Sequence, residues 1–198
     1  MGGETKNAES KGMPETLTGI GLRLAVICTV AALVLALVNM VTAPVIEANR
    51  ARALQEALER LVGDAPVGER RDVSEQESEA VRGYYPVDRG SEGYVLELVG
   101  NGYGGDMQIL AGFRPDGELF AAILMANTET PGLGKEAERP GYMEKFVGYG
   151  DDDPVPTRIT QLEPEEADSV SGATLTFIGI ARALEAGSSF VTSGGISR

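Results

Sequence analysis

Apolar and polar positions alternate in three different rhythms along the chain. From Leu24 to Ala43 the run LAVICTVAALVLALVNMVTA carries no charged residue. At ~1.5 Å rise per residue, that length matches a hydrocarbon layer of ~30 Å, so a single membrane-spanning helix is expected. The competing readings are a cleaved signal peptide, suggested by the small residues near Thr42 and Ala43, and a buried core helix. A signal core is usually only ~7 to 15 residues, and Pro44 would sit poorly after a cut, which favours a retained anchor. Beyond Pro44, a residue suited to a first helical turn, Ala48, Ala51, Leu54, Leu58 and Leu61 recur at helical spacing until Gly63; this predicts an amphipathic helix. From about Arg82 the rhythm shortens to β-type runs: Tyr94 to Val99, Met107 to Phe113 and Leu119 to Met125. Pro115-Asp116-Gly117 joins the last two as a tight turn and makes them antiparallel neighbours. A helical segment of about Lys135 to Val147, interrupted near Pro140, and an apolar helix from Leu175 to Ala186 ended by Gly187 complete the pattern.

The expected class is α+β: one N-terminal transmembrane helix, then a small domain with a twisted antiparallel sheet and flanking helices. The boundaries read as a tail over 1–22, the span over 23–43, a juxtamembrane helix over 44–63, a Glu/Ser-rich linker over 64–81, the domain over 82–190 and a tail over 191–198. Lys6, Lys11 and Arg23 before the span are matched by Arg50, Arg52 and Arg60 after it, so the positive-inside rule leaves the topology open. Asn39 within the span would need a polar partner at the interface or on a neighbouring helix.

Composition narrows the chemistry. The formal net charge is -13, from 30 acidic and 17 basic residues, which disfavours nucleic-acid partners. With one cysteine, Cys28, and no histidine or tryptophan, the chain has no intrachain disulfide, no Cys/His zinc site and no histidine-based triad. Redox or transfer chemistry would have to come from a cofactor.

Three glycine-bearing loops are the candidate sites: Gly102-Tyr-Gly-Gly105, Thr128 to Gly134, and Asp168-Ser-Val-Ser-Gly-Ala-Thr174. Each alone reads equally as a turn. The third immediately precedes an apolar helix, where amides and the positive end of the helix dipole would converge on an anion, with Ser171 and Thr174 as hydroxyls and Gly172 and Ala173 keeping bulk away. Simple helix capping by Ser171 or Thr174 is the alternative.

Asp168 to Thr174 resembles the flavinylation motif of the membrane FMN-binding family that includes the G protein of the Rnf complex and its counterpart in sodium-pumping NADH:quinone reductase. Glu129-Thr-Pro-Gly-Leu-Gly134 is similar to the family's second signature, and Gly102-Tyr-Gly-Gly-Asp106 to a third, all in family order. The resemblance implies FMN joined to Thr174 by a phosphoester that a separate flavin transferase makes. It also implies a cofactor surface from Asp168, Ser171, Gly172, Ala173, Glu129, Thr130, Gly132, Leu133 and Gly134, with Tyr103 as a flank. The implied protein is an electron carrier within an ion-translocating ferredoxin:NAD oxidoreductase, with other Rnf membrane and redox subunits as partners and no independent activity. Its domain would face the periplasmic or extracellular side of the cytoplasmic membrane. The length is closer to the Rnf protein than to its longer quinone-reductase counterpart; that counterpart and a membrane-anchored FMN sensor are the alternative readings. One departure stands out: Asn127 occupies a position where many relatives carry histidine, so no proton transfer is assigned there.

Overall fold

A computed structural model of the chain describes residues 13–88, 92–128, 134–150, 152–170 and 172–196. The chain divides into a unit ending at Ala51 and a second from Arg52 onward. Helix α1 (Met13–Val62) contains the apolar run, whose side chains lie exposed, Leu35 at 70% and Met40 at 73%. Among the described residues it is the one helix long and apolar enough to cross a membrane. Within it the Thr29 hydroxyl donates to the Ala25 carbonyl at 2.8 Å, which satisfies that group without water. The helix was expected to restart at Pro44, yet it continues through. One missing donor was not enough to end a long helix whose hydrogen-bond ladder continues on both sides.

The second unit is built on a five-stranded antiparallel sheet in the order β1-β2-β3-β4-β5: Arg71–Asp72, Val81–Asp88, Glu92–Asn101, Asp106–Phe113 and Leu119–Ala126. Leu98 pairs with Ile109 and Asn101 with Asp106, which fixes where the β3–β4 hairpin turns. Period-two alternation sorts the side chains to two faces. On one face Leu96, Leu98, Met107, Ile109, Ala111 and Phe113 join the larger core, which helix α3 (Thr174–Thr192) completes with Phe177, Ile180, Ala181 and Leu184. On the other, Tyr85, Val87, Val95 and Leu110 pack with Ala57, Leu61 and Val62 from the end of α1. Burial on both faces explains why β4 reads as an almost continuous apolar run. The α+β expectation therefore holds, with the Pro115 turn closed by Gly117 N–H donating to the Arg114 carbonyl at 2.9 Å.

Four local expectations change. The stretch 64–81, expected to be a linker, runs along the edge of β2: β1 lies there, Val67 bridges to Val87 and Gly68 N–H donates to the Pro86 carbonyl at 2.8 Å. Its polar side chains hid backbone pairing and a charge network in which Arg70 contacts Asp72 and Glu97 while the Tyr85 hydroxyl donates to Glu97 at 2.7 Å. Burial, then that hydrogen bond, pushes the Tyr85 phenol above its ordinary pKa. Strand β2 itself carries Pro86, which disguised it. The segment after Gly134 forms two short 3-10 helices, Gly134–Glu138 and Tyr142–Phe146, in place of one interrupted α-helix. Helix α3 runs on past Gly187 to Thr192, with Phe190 and Val191 buried, so the C-terminal tail begins later than expected. Gly187 serves packing: a Cβ there would lie 2.8 Å from the Phe113 ring.

Phe146 and Phe177, both fully buried, stack at 5.4 Å between ring centroids and tie a 3-10 helix to the first turns of α3. Phe177→Ala is expected to cost about 3–5 kcal/mol in urea unfolding of the detergent-solubilised chain; a loss under about 1 kcal/mol would contradict this packing.

Candidate functional site

The N-terminus of α3 has the local features that favour an acceptor. Its N-cap is Ala173 (φ -133°, ψ 36°), which has no side chain able to cap, and its first turn contains no acidic residue. Among the described residues no side chain caps the first amides of the helix, and the dipole presents its positive end there. Helix α2 (Pro164–Val170), just upstream, places Glu165 and Glu166 in its own first turn, so acid is kept from α3 specifically. Thr174 is the first helical residue and is half-buried, not the N-cap that simple capping would need. Val170 and Ala173 are buried and fasten the turn, whereas Asp168 and Gly172 are exposed and a Cβ on Gly172 would meet nothing within 4 Å. Ser171 lies outside the described residues.

The Gly102–Gly105 turn closes the β3–β4 hairpin through Gly102 N–H donating to the Gly105 carbonyl at 2.9 Å. Gly105 sits at φ +128°, a conformation that suits glycine, and a Cβ there would strike the Thr128 hydroxyl at 2.9 Å. Thr128 Oγ1 donates to the Gly104 carbonyl at 2.8 Å, which fastens this turn to the end of β5. Tyr103 is 72% exposed at the tip, a large apolar ring facing outward.

Glu129, Thr130, Gly132 and Leu133 lie outside the described residues, and Gly134 opens the first 3-10 helix. The flanks of that loop are tied together. Asn127 Nδ2 donates to Glu138 Oε1 at 2.9 Å, and Lys135 lies 3.4 Å from the same carboxylate. The Asn127 hydrogen bond, with help from Lys135, holds the Glu138 carboxyl below its ordinary pKa. Further along, the Tyr142 hydroxyl is buried with no hydrogen-bond partner among the described residues, and Lys145 Nζ stands 3.8 Å from the Tyr142 ring centroid. Burial lowers the Lys145 pKa, and Glu166 partly offsets that.

The described flanks of all three loops meet at one end of the sheet. Gly179 of α3 touches Gly100 and Asn101, Thr128 holds Gly104, and the helix Gly134–Glu138 packs on α3. A cavity of about 880 Å³ around Tyr84, Tyr94 and Arg71 lies toward the opposite end of β3. None of the three candidate loops lines it among the described residues, so a cavity alone does not locate the chemistry. Sequence reasoning placed Thr128 in a candidate loop but missed Gly100, Glu138 and Gly179; a glycine inside an otherwise apolar helix was the available signal for Gly179.

Comparison with known proteins identifies the domain that contains these loops. Residues 102–188 match the FMN-binding domain model, and residues 13–61 match the RnfG N-terminal region. The chain is 34% identical over 165 residues to the G protein of the ion-translocating oxidoreductase complex of Cereibacter sphaeroides, covering 79% of this chain and 75% of the relative. It is 31% identical over 173 residues to the G protein of the Na(+)-translocating ferredoxin:NAD(+) oxidoreductase complex of Acetobacterium woodii, covering 79% and 83%. The C protein of the Na(+)-translocating NADH-quinone reductase of Vibrio alginolyticus is 32% identical over 95 residues, covering 43% and 37%.

The Asn127 contact gives a titration test. A carboxyl whose folded pKa is depressed favours the folded state above its unfolded pKa, and that contribution fades as pH falls through the folded value. Asn127→Ala is expected to move the Glu138 pKa upward in a carboxyl NMR titration; an unmoved Glu138 would show that the hydrogen bond is not the main cause.

Proposed function

We infer the function from the premise that the chain belongs to the RnfG family, the G subunits of ion-translocating oxidoreductase complexes: it is an electron-transfer flavoprotein of a membrane redox complex. The chain has a redox role within that complex, alongside other subunits, and is a single-pass membrane protein. The finer reading is that it carries FMN as a phosphoester on the Thr174 hydroxyl, attached by a separate flavin transferase, and passes electrons without an activity of its own. The observation that supports the attachment best is the start of α3, where an alanine N-cap and an acid-free first turn leave amides for a phosphate beside the Thr174 hydroxyl.

Bound FMN supplies the electron-accepting and electron-donating chemistry. The chain's part is to hold and surround it. Thr174 fixes the phosphate end, the α3 amides and the open space at Gly172 accommodate phosphate oxygens, and Ala173 and Val170, both buried, keep the turn from moving. The loop from Glu129 to Gly134 and the exposed Tyr103 are assigned to the rest of the cofactor. The orphaned Tyr142 hydroxyl is an additional donor on the side of the domain that carries α2 and the 3-10 helices. Asn127 already donates to Glu138 and is given no proton-transfer role.

The quinone-reductase reading is weaker, because that relative matches less than half of this chain. The domain is placed on the periplasmic or extracellular side of the cytoplasmic membrane. A covalent bond suits that side, since a cofactor released into a large outside volume would not rebind by mass action.

Two outcomes follow. Coexpressed with a flavin transferase, the chain should give a flavin-fluorescent band on a denaturing gel that Thr174→Ala removes; a fluorescent Thr174→Ala band would refute the attachment site. In right-side-out membrane vesicles, added protease should digest the residues beyond Pro44, and their protection would contradict the assigned side.

A further inference from the structure

The contact between α3 and the end of β3 is closest where backbone meets backbone. Gly179 lies one and a half turns beyond Thr174, ~7.5 Å along the helix axis. A Cβ on Gly179 would stand 2.2 Å from the Asn101 carbonyl oxygen and 2.8 Å from its carbon. Reciprocally, a Cβ on Gly100 would stand 2.7 Å from the Gly179 carbonyl oxygen. Both obstacles are backbone, so neither can rotate out of the way. The nearest approach of the helix to the strand is main chain on main chain, with Ala183 Cβ and Met107 Cε beside it, one residue before the Gly102–Gly105 turn begins.

The other side of that turn is equally fixed. Asn101 pairs with Asp106, Met107 Cε would lie 2.9 Å from the added Gly179 Cβ, and Thr128 holds the Gly104 carbonyl. The closest obstacles that set the separation between Thr174 and the Tyr103-bearing turn are thereby backbone atoms. Gly187, two turns further along α3, provides the contrast. A Cβ there would meet the Phe113 ring at 2.8 Å and Leu98 Cδ1 at 3.1 Å, both the outer atoms of side chains.

We propose that Gly179 and Gly100 are positioning residues that set where a flavin attached at Thr174 stands relative to the Gly102–Gly105 turn. The inference rests on the Thr174 attachment proposed above. Adding a methyl group at Gly179 must displace the first turns of α3 from the strand end, because the obstructing atoms are main chain. Adding one at Gly187 is relieved by repacking Phe113 and Leu98, and leaves the Thr174 end in place.

The test compares Gly179→Ala and Gly100→Ala with Gly187→Ala in the full-length, flavinylated chain in detergent. Thermal unfolding is measured for each, together with flavin fluorescence anisotropy and midpoint potential. The expected result is a loss of anisotropy and a shifted potential for Gly179→Ala, Gly100→Ala or both, with wild-type flavin values for Gly187→Ala despite a comparable loss of thermal stability. Gly100→Ala, with the smaller overlap, keeps the test open where Gly179→Ala does not fold. Wild-type flavin values in every Gly179 and Gly100 variant that folds, or the same shifts in Gly187→Ala, would overturn the positioning role. A wild-type chain without flavin, or flavin retained in Thr174→Ala, would overturn the attachment and this inference with it.

Discussion

The domain depends on how closely one helix can lie on one sheet. Helix α3 buries Phe177, Ile180, Ala181 and Leu184 completely against the face formed by Leu98, Ile109 and Phe113. At ~25 cal/mol per Å² of apolar surface, these residues are a leading source of the domain's stability. The approach is closest where glycines replace side chains, at Gly100 with Gly179 and at Gly187 with Phe113. A helix held this way has little freedom to slide, and its N-terminus is carried to a fixed place at the end of the sheet. The same end holds the β3–β4 turn and the flanks of the loop after β5. Packing and site location are two results of one contact.

Electrostatics then separates that helix start from its surroundings. The chain is strongly acidic, with a net charge of -13, and α2 begins with two glutamates, yet the first turn of α3 has none. In the proposed reading an anionic phosphate is disfavoured by the domain as a whole and favoured at one helix end, where no described side chain caps the amides. Such a balance makes non-covalent retention weak and gives a physical reason for a covalent bond. Flanking contacts work on orientation: Thr128 to Gly104 and Asn127 to Glu138 each join elements that meet beside the site.

Much of this was legible from the residues themselves. The charge-free run from Leu24 to Ala43, the strands around Leu98, Ile109 and Ile123, and the apolar helix after Thr174 follow from periodicity, because each must bury a defined face. What escaped depended on partners distant in sequence. Strand β1 exists only because Arg71 and Asp72 pair with Tyr84 and Gly83, and polar side chains gave no sign of it. Pro86 disguised a paired strand, whose carbonyl there accepts from Gly68. Pro44 and Gly187 were read as local breaks, but the helix continued through the first and the second served close packing. The position of Thr174 one residue past the N-cap could not be read from its hydroxyl, since a threonine reads equally well as the cap itself. Resemblance in three ordered motifs supplied the cofactor; the geometry adds which backbone contacts fix its surroundings.

The most direct test of the central claim is mass spectrometry of the tryptic peptide 159–182 from the chain matured with a flavin transferase. A phosphoester at the start of α3 predicts that this peptide carries the mass of FMN less one water and that fragmentation places it on Thr174. An unmodified peptide, or the added mass on another residue, would contradict it.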